Sequence, residues 1–139
     1  MLNLAKKKTN IHSIGKRKRA IARAYAKAGS GKIFINNQLL DVIQPELIRM
    51  MIGEPVVLAG ATAKKLDIDV KVSGGGVWGQ ASAARQAIAG ILVQTDKNLK
   101  EKFLKYDRSL LKADPRRTEP HKPSRSRAGP RRHKQRSKR

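Results

Sequence analysis

Apolar and polar residues alternate with the period of a β-strand in two parts of the chain. The clearer run spans residues 66–73, where Leu, Ile and Val occupy every second position and predict a strand with one buried face. Residues 15–27 alternate as well, with alanines on one face and larger, mostly basic residues on the other: Arg17, Arg19, Ile21, Arg23, Tyr25 and Lys27. Alanine also favours a helix. The turn at residues 28–31 and the β-rich residues 33–35 nevertheless favour a β-hairpin formed by these two segments.

Four helices are predicted after a turn at residues 36–37. Proline opens the first two, over residues 45–53 and 55–63, because a proline at the start of a helix lacks only a donor that would be unpaired. A long helix follows over 77–95 and a short basic one over 98–106. The apolar stripe of the long helix consists of Trp78, Ala81, Ala84, Ile88, Ile91 and Leu92. Its polar face carries Gln80, Arg85 and Gln86. The pattern predicts an α+β domain, a small sheet backed by helices.

Charge divides the chain into parts. The 139 residues carry a net charge of +22, from 32 Lys and Arg against 10 Asp and Glu. We expect a basic N-terminal lead-in (residues 1–13), one α+β domain (14–114) and an extended basic tail (115–139). Positive charge is concentrated toward both ends of the chain, around a near-neutral centre at residues 33–70. This distribution favours a nucleic acid over a membrane as the partner.

The tail has the composition of a segment that becomes ordered on a polyanion. It contains four prolines, no large apolar residue and a single acid, so it cannot form a core of its own. Arginine is its commonest cation, and the guanidinium fork matches phosphate geometry. Its eleven Lys and Arg residues are Arg116, Arg117, Lys122, Arg125, Arg127, Arg131, Arg132, Lys134, Arg136, Lys138 and Arg139. The alternative is a tail that only increases solubility.

The composition also disfavours several classes of protein. The chain has no cysteine, which excludes disulfides and thiolate metal sites, and its three histidines are isolated in sequence. No apolar run approaches the roughly 20 residues of a transmembrane helix. Five aromatic residues are few for a surface that stacks on nucleic-acid bases. Because the carboxylates form no evident catalytic pair, we expect no enzyme, no cofactor and no metal.

A glycine triplet joins the strand at residues 66–73 to the long helix. Together with Gly79 it formally matches the dinucleotide-binding motif GxGxxG. However, no second βαβ half follows, and the acid about twenty residues on, Asp96, lies at a helix end. A tight turn is the simple interpretation. Such a turn before a helix also presents free amides to a phosphate, including one in an RNA backbone.

Three stretches resemble the universal small-subunit ribosomal protein S9 family. The run SGGGVWGQASAARQAIAGIL is similar to that family's signature, GKRKRAIARAYAKAGSGKIFINN to its first hairpin, and the terminal SKR to its extreme end. The segment DRSLLKADPRRTEPHKP resembles the archaeal and eukaryotic branch, and the SKR ending favours an archaeal-type protein. One departure is Gly90, where the family usually has Lys or Arg on the long helix.

The resemblance implies a structural, cytoplasmic protein in the head of the small ribosomal subunit, with the fold of the second domain of ribosomal protein S5. Its partners would be ribosomal RNA, neighbouring ribosomal proteins of the head and the transfer RNA of the peptidyl site. Lys138 and Arg139 would approach the anticodon stem-loop phosphates of that transfer RNA. Ribosomal RNA would be bound by the tail cations from Arg116 to Arg136 and by Lys16, Arg17, Lys18, Arg19, Arg23, Gly74, Gly75, Gly76, Gln80 and Arg85.

Two other functions stay open on sequence grounds. A free nucleic-acid chaperone or compaction protein would be equally basic, but a folded centre with a glycine–helix motif disfavours it, because compaction requires only charge. A nucleotide-dependent enzyme built on the glycine triplet comes third.

Overall fold

The computed structural model describes residues 11–118 and 120. Five strands form one sheet: β1 (Ile11–Arg17), β2 (Ala20–Ala28), β3 (Ile33–Ile35), β4 (Gln38–Leu39) and β5 (Leu66–Ser73). Their order is β1-β2-β5-β3-β4, and all pairs are antiparallel except β3 with β5. The helices are α1 (Glu46–Ala59), α2 (Val77–Thr95) and α3 (Leu99–Tyr106). This five-stranded sheet with its helices confirms the predicted α+β class.

One face of the sheet is built from small residues and is covered by α2. The four alanines at positions 20, 22, 24 and 26 of β2 are buried, as are the apolar residues of β5 at 66, 68, 70 and 72. The alternation predicted for residues 66–73 is therefore correct, and that predicted for residues 15–27 is correct over 20–27. Arg17, predicted on the outer face, pairs with Ala20 and so lies on the covered face. Helix α2 meets this face with its own alanines, and small residues on both sides let the helix approach the sheet closely.

The predicted hairpin between residues 15–27 and 33–35 is wrong. The chain turns at Lys18 and Arg19, so the first segment is divided between β1 and β2, which pair from Ile11 with Ala26 to Arg17 with Ala20. Strand β5 lies between β2 and β3 and pairs with β2 over eight residues. A turn signal depends only on neighbouring residues, whereas strand pairing depends on contacts with strands that are distant in the sequence. Because β1 begins at Ile11, three residues of the predicted N-terminal lead-in belong to the sheet.

Two helical details also differ from the prediction. Helix α1 runs through Pro55 without a break, and residues 60–65 form a short 3-10 helix instead of a second α-helix. The proline costs one helical hydrogen bond, but its ring is fully buried in the core between α1 and its neighbours. On α2, Trp78 is exposed and Gln86 is buried, the reverse of the prediction for these two. Gln86 is buried because its Oε1 accepts the backbone N–H of Lys16 at 2.8 Å.

Candidate nucleic-acid interface

The turn between β1 and β2 and the glycine triplet meet at one edge of the domain. Between them lies an open groove of about 790 Å³. We call it the cationic groove, and its lining residues are Lys16, Arg17, Lys18, Arg19, Ile21, Gly75, Gly76, Val77, Trp78, Gly79, Arg117 and Thr118. Five of these residues are cations and none is an acid. The structure therefore brings together three basic or glycine-rich parts of the sequence, namely the first basic segment, the glycine loop and the beginning of the tail.

Glycine is required where the loop passes the hairpin. Gly74 and Gly75 have φ of 76° and 68°, in the left-handed region that side chains disfavour. A β-carbon on Gly74 would lie 2.6 Å from the carbonyl oxygen of Arg19, and one on Gly75 would lie 3.0 Å from the amide nitrogen of Ala20. The missing side chains thus let the loop rest directly on the hairpin turn, which fixes the distance between the cations and the helix.

The first turn of α2 lines this groove at the amino terminus of the helix. Gly76 occupies the N-cap and has no side chain with which to cap them, and a β-carbon there would meet nothing within 4 Å. The backbone N–H of Gln80 is already bonded to the Gly76 carbonyl at 2.9 Å. Val77, Trp78 and Gly79, the first-turn residues before it, all line the groove. Helix amides in this position favour an anion both by hydrogen bonding and through the helix dipole.

Gln80 itself has an internal role. Its Nε2 donates to the carbonyl oxygen of Gly74 at 3.2 Å, and it does not line the cationic groove. The side chain therefore holds the glycine loop in its turn. Its observed contact is therefore with the loop and not with the groove.

Asp114 ties the start of the tail to the hairpin. Its carboxylate pairs with the guanidinium of Arg17 in β1 and, at 2.6 Å, with that of Arg116. Only 14% of the Asp114 side chain is exposed, against 82% for Arg116. Because Arg117 and Thr118 then line the groove, the chain enters its basic tail along the same surface that carries the hairpin cations.

Among the predicted site residues, Gly74, Gln80 and Arg116 adjoin the groove in sequence without lining it, and two others lie farther away. Arg23 is exposed on the uncovered face of the sheet, where it is aligned with Lys71 of β5 and with Ile14 of β1. Arg85 is turned into the body of the protein, with 13% of its side chain exposed. Its guanidinium lies 2.5 Å from Glu54 of α1 and 2.9 Å from Asp107, so its charge is already neutralised.

The Arg85 cluster has a further partner in Ser109. The Ser109 hydroxyl donates to Asp107 Oδ2 at 2.6 Å, and its backbone N–H donates to Oδ1 at 2.8 Å. These bonds, the hydroxyl first, together with the Arg85 guanidinium hold the pKa of Asp107 below its ordinary value, against the opposing effect of burial. The cluster joins α1, α2 and the segment after α3, which is a structural role.

Sequence reasoning missed Trp78 as a groove residue and assigned it to the core. Its ring is 55% exposed and lies at the first turn of α2. Trp78 lies only two residues after the glycine triplet, at a point where the helix has only begun to pack against the domain. This position could have indicated that its side chain is exposed. The remaining predicted cations of the tail, Lys122 to Arg139, lie outside the described residues.

Within residues 11–118 and 120, no helix has the length and apolar character needed to cross a membrane. The same part of the chain contains no cluster of three or more His, Asp or Glu side chains arranged to hold a metal ion.

Comparison with known proteins identifies the family. Residues 15–139 match the family described as ribosomal protein S9/S16. The chain belongs to this family. The small ribosomal subunit protein uS9 of Methanococcus maripaludis is 53% identical over 129 residues, which cover 91% of this chain and 96% of that protein. The protein of the same name from Methanococcus vannielii is 52% identical over the same shares. The resemblance seen in the sequence is confirmed, and as a ribosomal protein the chain is a structural component and not an enzyme.

Proposed function

We propose that the chain binds ribosomal RNA through the cationic groove and its basic tail, as a structural constituent of the small ribosomal subunit in the cytoplasm. The archaeal relatives carry the name of a small-subunit protein. The observation that carries the proposal is that five cations, of which Arg17 is paired with Asp114, and the first turn of α2 line one surface. This surface offers many donors to phosphate and no carboxylate among its lining residues.

The arrangement suits a phosphate backbone better than exposed bases. Lys16, Lys18 and Arg19 are exposed and project from a hairpin, and contacts of this kind position a protein on nucleic acid without reading its sequence. The glycine loop leaves room for a backbone to approach the helix amides closely. RNA helices are recognised largely by shape and by phosphate contacts.

The tail extends this interface. It leaves the domain at the cationic groove, anchored by Asp114, and its arginine-rich composition suits a path between RNA helices. Ordering such a segment costs about 1–2 kcal/mol per residue, so its cations from Arg116 to Arg136 must each find phosphate partners to offset the loss. By family resemblance, Lys138 and Arg139 at its end touch the transfer RNA of the peptidyl site, and the domain meets neighbouring proteins of the head.

The groove is tested by replacing two adjacent exposed cations. Lys18→Gln/Arg19→Gln removes two charges from it, and Lys64→Gln/Lys65→Gln removes two from a 3-10 helix that does not line it. Binding of the full chain to the head domain of small-subunit ribosomal RNA is measured across a salt series. We expect the first variant to reduce the slope of log affinity against log salt by about 1 to 2, because each lost phosphate contact removes about 0.7 to 0.9.

The Lys64/Lys65 variant is the matched control, because it loses the same charge outside the groove. The Lys64/Lys65 variant should retain the parent slope. Equal losses in both variants would show that only total charge matters, and the groove would then have no specific role.

The end of the tail is tested by deleting Lys138 and Arg139. Nine tail cations remain, so we expect the truncated chain to enter small subunits at parent occupancy. Retention of transfer RNA in the peptidyl site, measured by filter binding to purified subunits, should fall because two phosphate contacts are lost. Equal retention with and without the two residues would refute the terminal contact.

A further inference from the structure

Asp114 places a carboxylate beside a surface that otherwise favours anions. Among residues 11–118 and 120, it is the one acid that is paired with a cation of the hairpin, Arg17. A negative charge at this point repels phosphate and neutralises one of the five cations that line the cationic groove. Since both effects weaken the attraction for RNA, charge alone gives no reason for an acid at this position.

The contacts of Asp114 instead indicate that it holds the chain that follows it. Its Oδ1 accepts the backbone N–H of Arg116 at 2.9 Å, two residues further on, which is the bond of an Asx turn. The Arg116 side chain returns to the same carboxylate, with Nε 3.0 Å from Oδ1 and Nη2 2.6 Å from Oδ2. Oδ2 also accepts from the Arg17 guanidinium. We call these contacts the Asp114 clamp, which joins the first tail residues to β1.

The chain is restrained on both sides of Asp114. Before it, Leu110 is fully buried and Leu111 packs against the core. After it, the ring of Pro115 restricts the backbone at this residue and at the residue before it. The Asp114 side chain is only 14% exposed and does not line the cationic groove. A phosphate in the groove would therefore meet the residues that follow the clamp, and not the clamp itself.

We propose that the Asp114 clamp orders the start of the tail on the cationic groove before RNA binds, and thereby favours ribosomal RNA over other polyanions. Ordering even one backbone residue during binding weakens affinity about fivefold or more. A segment that is ordered in advance avoids this loss on a site of matching shape. A polyanion that offers phosphates in any arrangement gains nothing from the order and is repelled by the Asp114 charge. The inference rests on the proposed function, because it concerns the selectivity of the same groove.

The composition of the chain allows an optical test of the clamp. The chain has no cysteine and a single tryptophan, Trp78, which lines the groove together with Thr118. A bimane fluorophore on Thr118→Cys is therefore quenched by Trp78 while the start of the tail lies on the groove, and Trp78→Phe gives the unquenched reference. In the full chain without RNA, we expect Asp114→Ala to lose most of this quenching. Asp41→Ala, which removes an exposed charge outside the groove, should retain it. Unchanged quenching in Asp114→Ala would overturn the proposal.

Selectivity is measured with two RNAs at one salt concentration. The full chain is titrated onto the head domain of small-subunit ribosomal RNA from Methanococcus maripaludis and onto a poly(A)·poly(U) duplex. We expect Asp114→Ala to bind the head domain at least about fivefold more weakly than the parent. It should bind the duplex as tightly as the parent or more tightly, because it has one negative charge fewer. A simple charge effect would strengthen binding to both RNAs and a damaged fold would weaken both, and either result would overturn the proposal.

Pro115→Gly is a second variant that changes no charge. Pro115 is exposed, so its replacement leaves the core intact while it frees the backbone between Asp114 and Arg116. We expect weaker binding to the head domain and parent affinity for the duplex. Parent affinity for both RNAs would contradict the role of an ordered tail start. A parent chain that bound both RNAs equally well would instead overturn the proposed function, so the two failures are distinguishable.

Discussion

At Gly15 the backbone of β1 lies against the backbone of α2. A β-carbon at this position would lie 2.8 Å from the amide nitrogen of Ala87 and closer still to the carbonyl oxygen of Ala83. Helix backbone atoms cannot move aside as a flexible side chain can, so glycine sets the separation of sheet and helix. The same contact matters to the interface, because Lys16 and Arg17 follow directly in β1.

Glycine substitutions at two sites should change stability in opposite directions. Gly15→Ala forces β1 away from α2, and we expect it to lower the free energy of unfolding by about 3 kcal/mol. Gly53 lies within α1, and a β-carbon there would meet nothing within 4 Å. Gly53→Ala should therefore raise the free energy of unfolding by about 0.5–1 kcal/mol. Urea unfolding of the full chain measures both. A neutral Gly15→Ala would show that the sheet and helix can separate without cost.

Some residue roles were readable in the sequence and others were not. The glycine triplet was recognisable because three glycines between a strand and a helix have few alternatives. Gly15 stands in a basic run and gave no packing signal, since its neighbours on α2 are about seventy residues away. Gly90 is similar: it faces the Ser13 side chain in β1, so a Lys or Arg there requires Ser13 to move.

Contacts between elements were the least predictable part of the fold. The alternation of β2 and β5 correctly gave their buried faces, but it carried no information on which strands pair. Arg85 illustrates the same limit for a site. Its helical position suggested a surface cation, whereas Glu54 from α1 and Asp107 after α3 surround it and make it a link between elements.

That link should make stability depend on pH. The pKa of Asp107 is lowered on folding from its ordinary value of 3.8, so its charged form stabilises the fold above that value and the contribution is lost as pH falls through the folded-state pKa. The melting temperature of Asp107→Asn should therefore be lower than that of the parent at pH 6. The difference between the two melting temperatures should narrow as pH falls from about 4 to about 2. Thermal unfolding by circular dichroism measures this.

Asp41→Asn provides the control for that series. It removes the same charge from an exposed site on the 3-10 helix Leu40–Val42, away from the Arg85 cluster. Its melting temperature should follow that of the parent at every pH. If the melting temperature of Asp107→Asn stayed below that of the parent at low pH, the destabilisation would come from altered packing or hydrogen bonding and not from the lost charge.

Across the whole molecule, charge and apolar surface are separated. The hairpin, the glycine loop and the start of the tail form one cationic surface, while α1 exposes large apolar side chains at Leu47, Met50 and Val57. Helix α1 belongs to the near-neutral centre seen in the sequence at residues 33–70. A protein that only compacts nucleic acid has no need of such a division.

The central claim is that this chain is an integral part of the small subunit and not loosely bound charge. Its most direct test is sedimentation of cell lysate through sucrose gradients of rising salt, with detection of this chain. Simple charge attraction weakens steeply with salt, whereas a folded domain seated on RNA with its tail threaded between RNA helices should resist release. We predict co-migration with the small subunit at high salt, and release into the top fractions as salt rises would contradict the account.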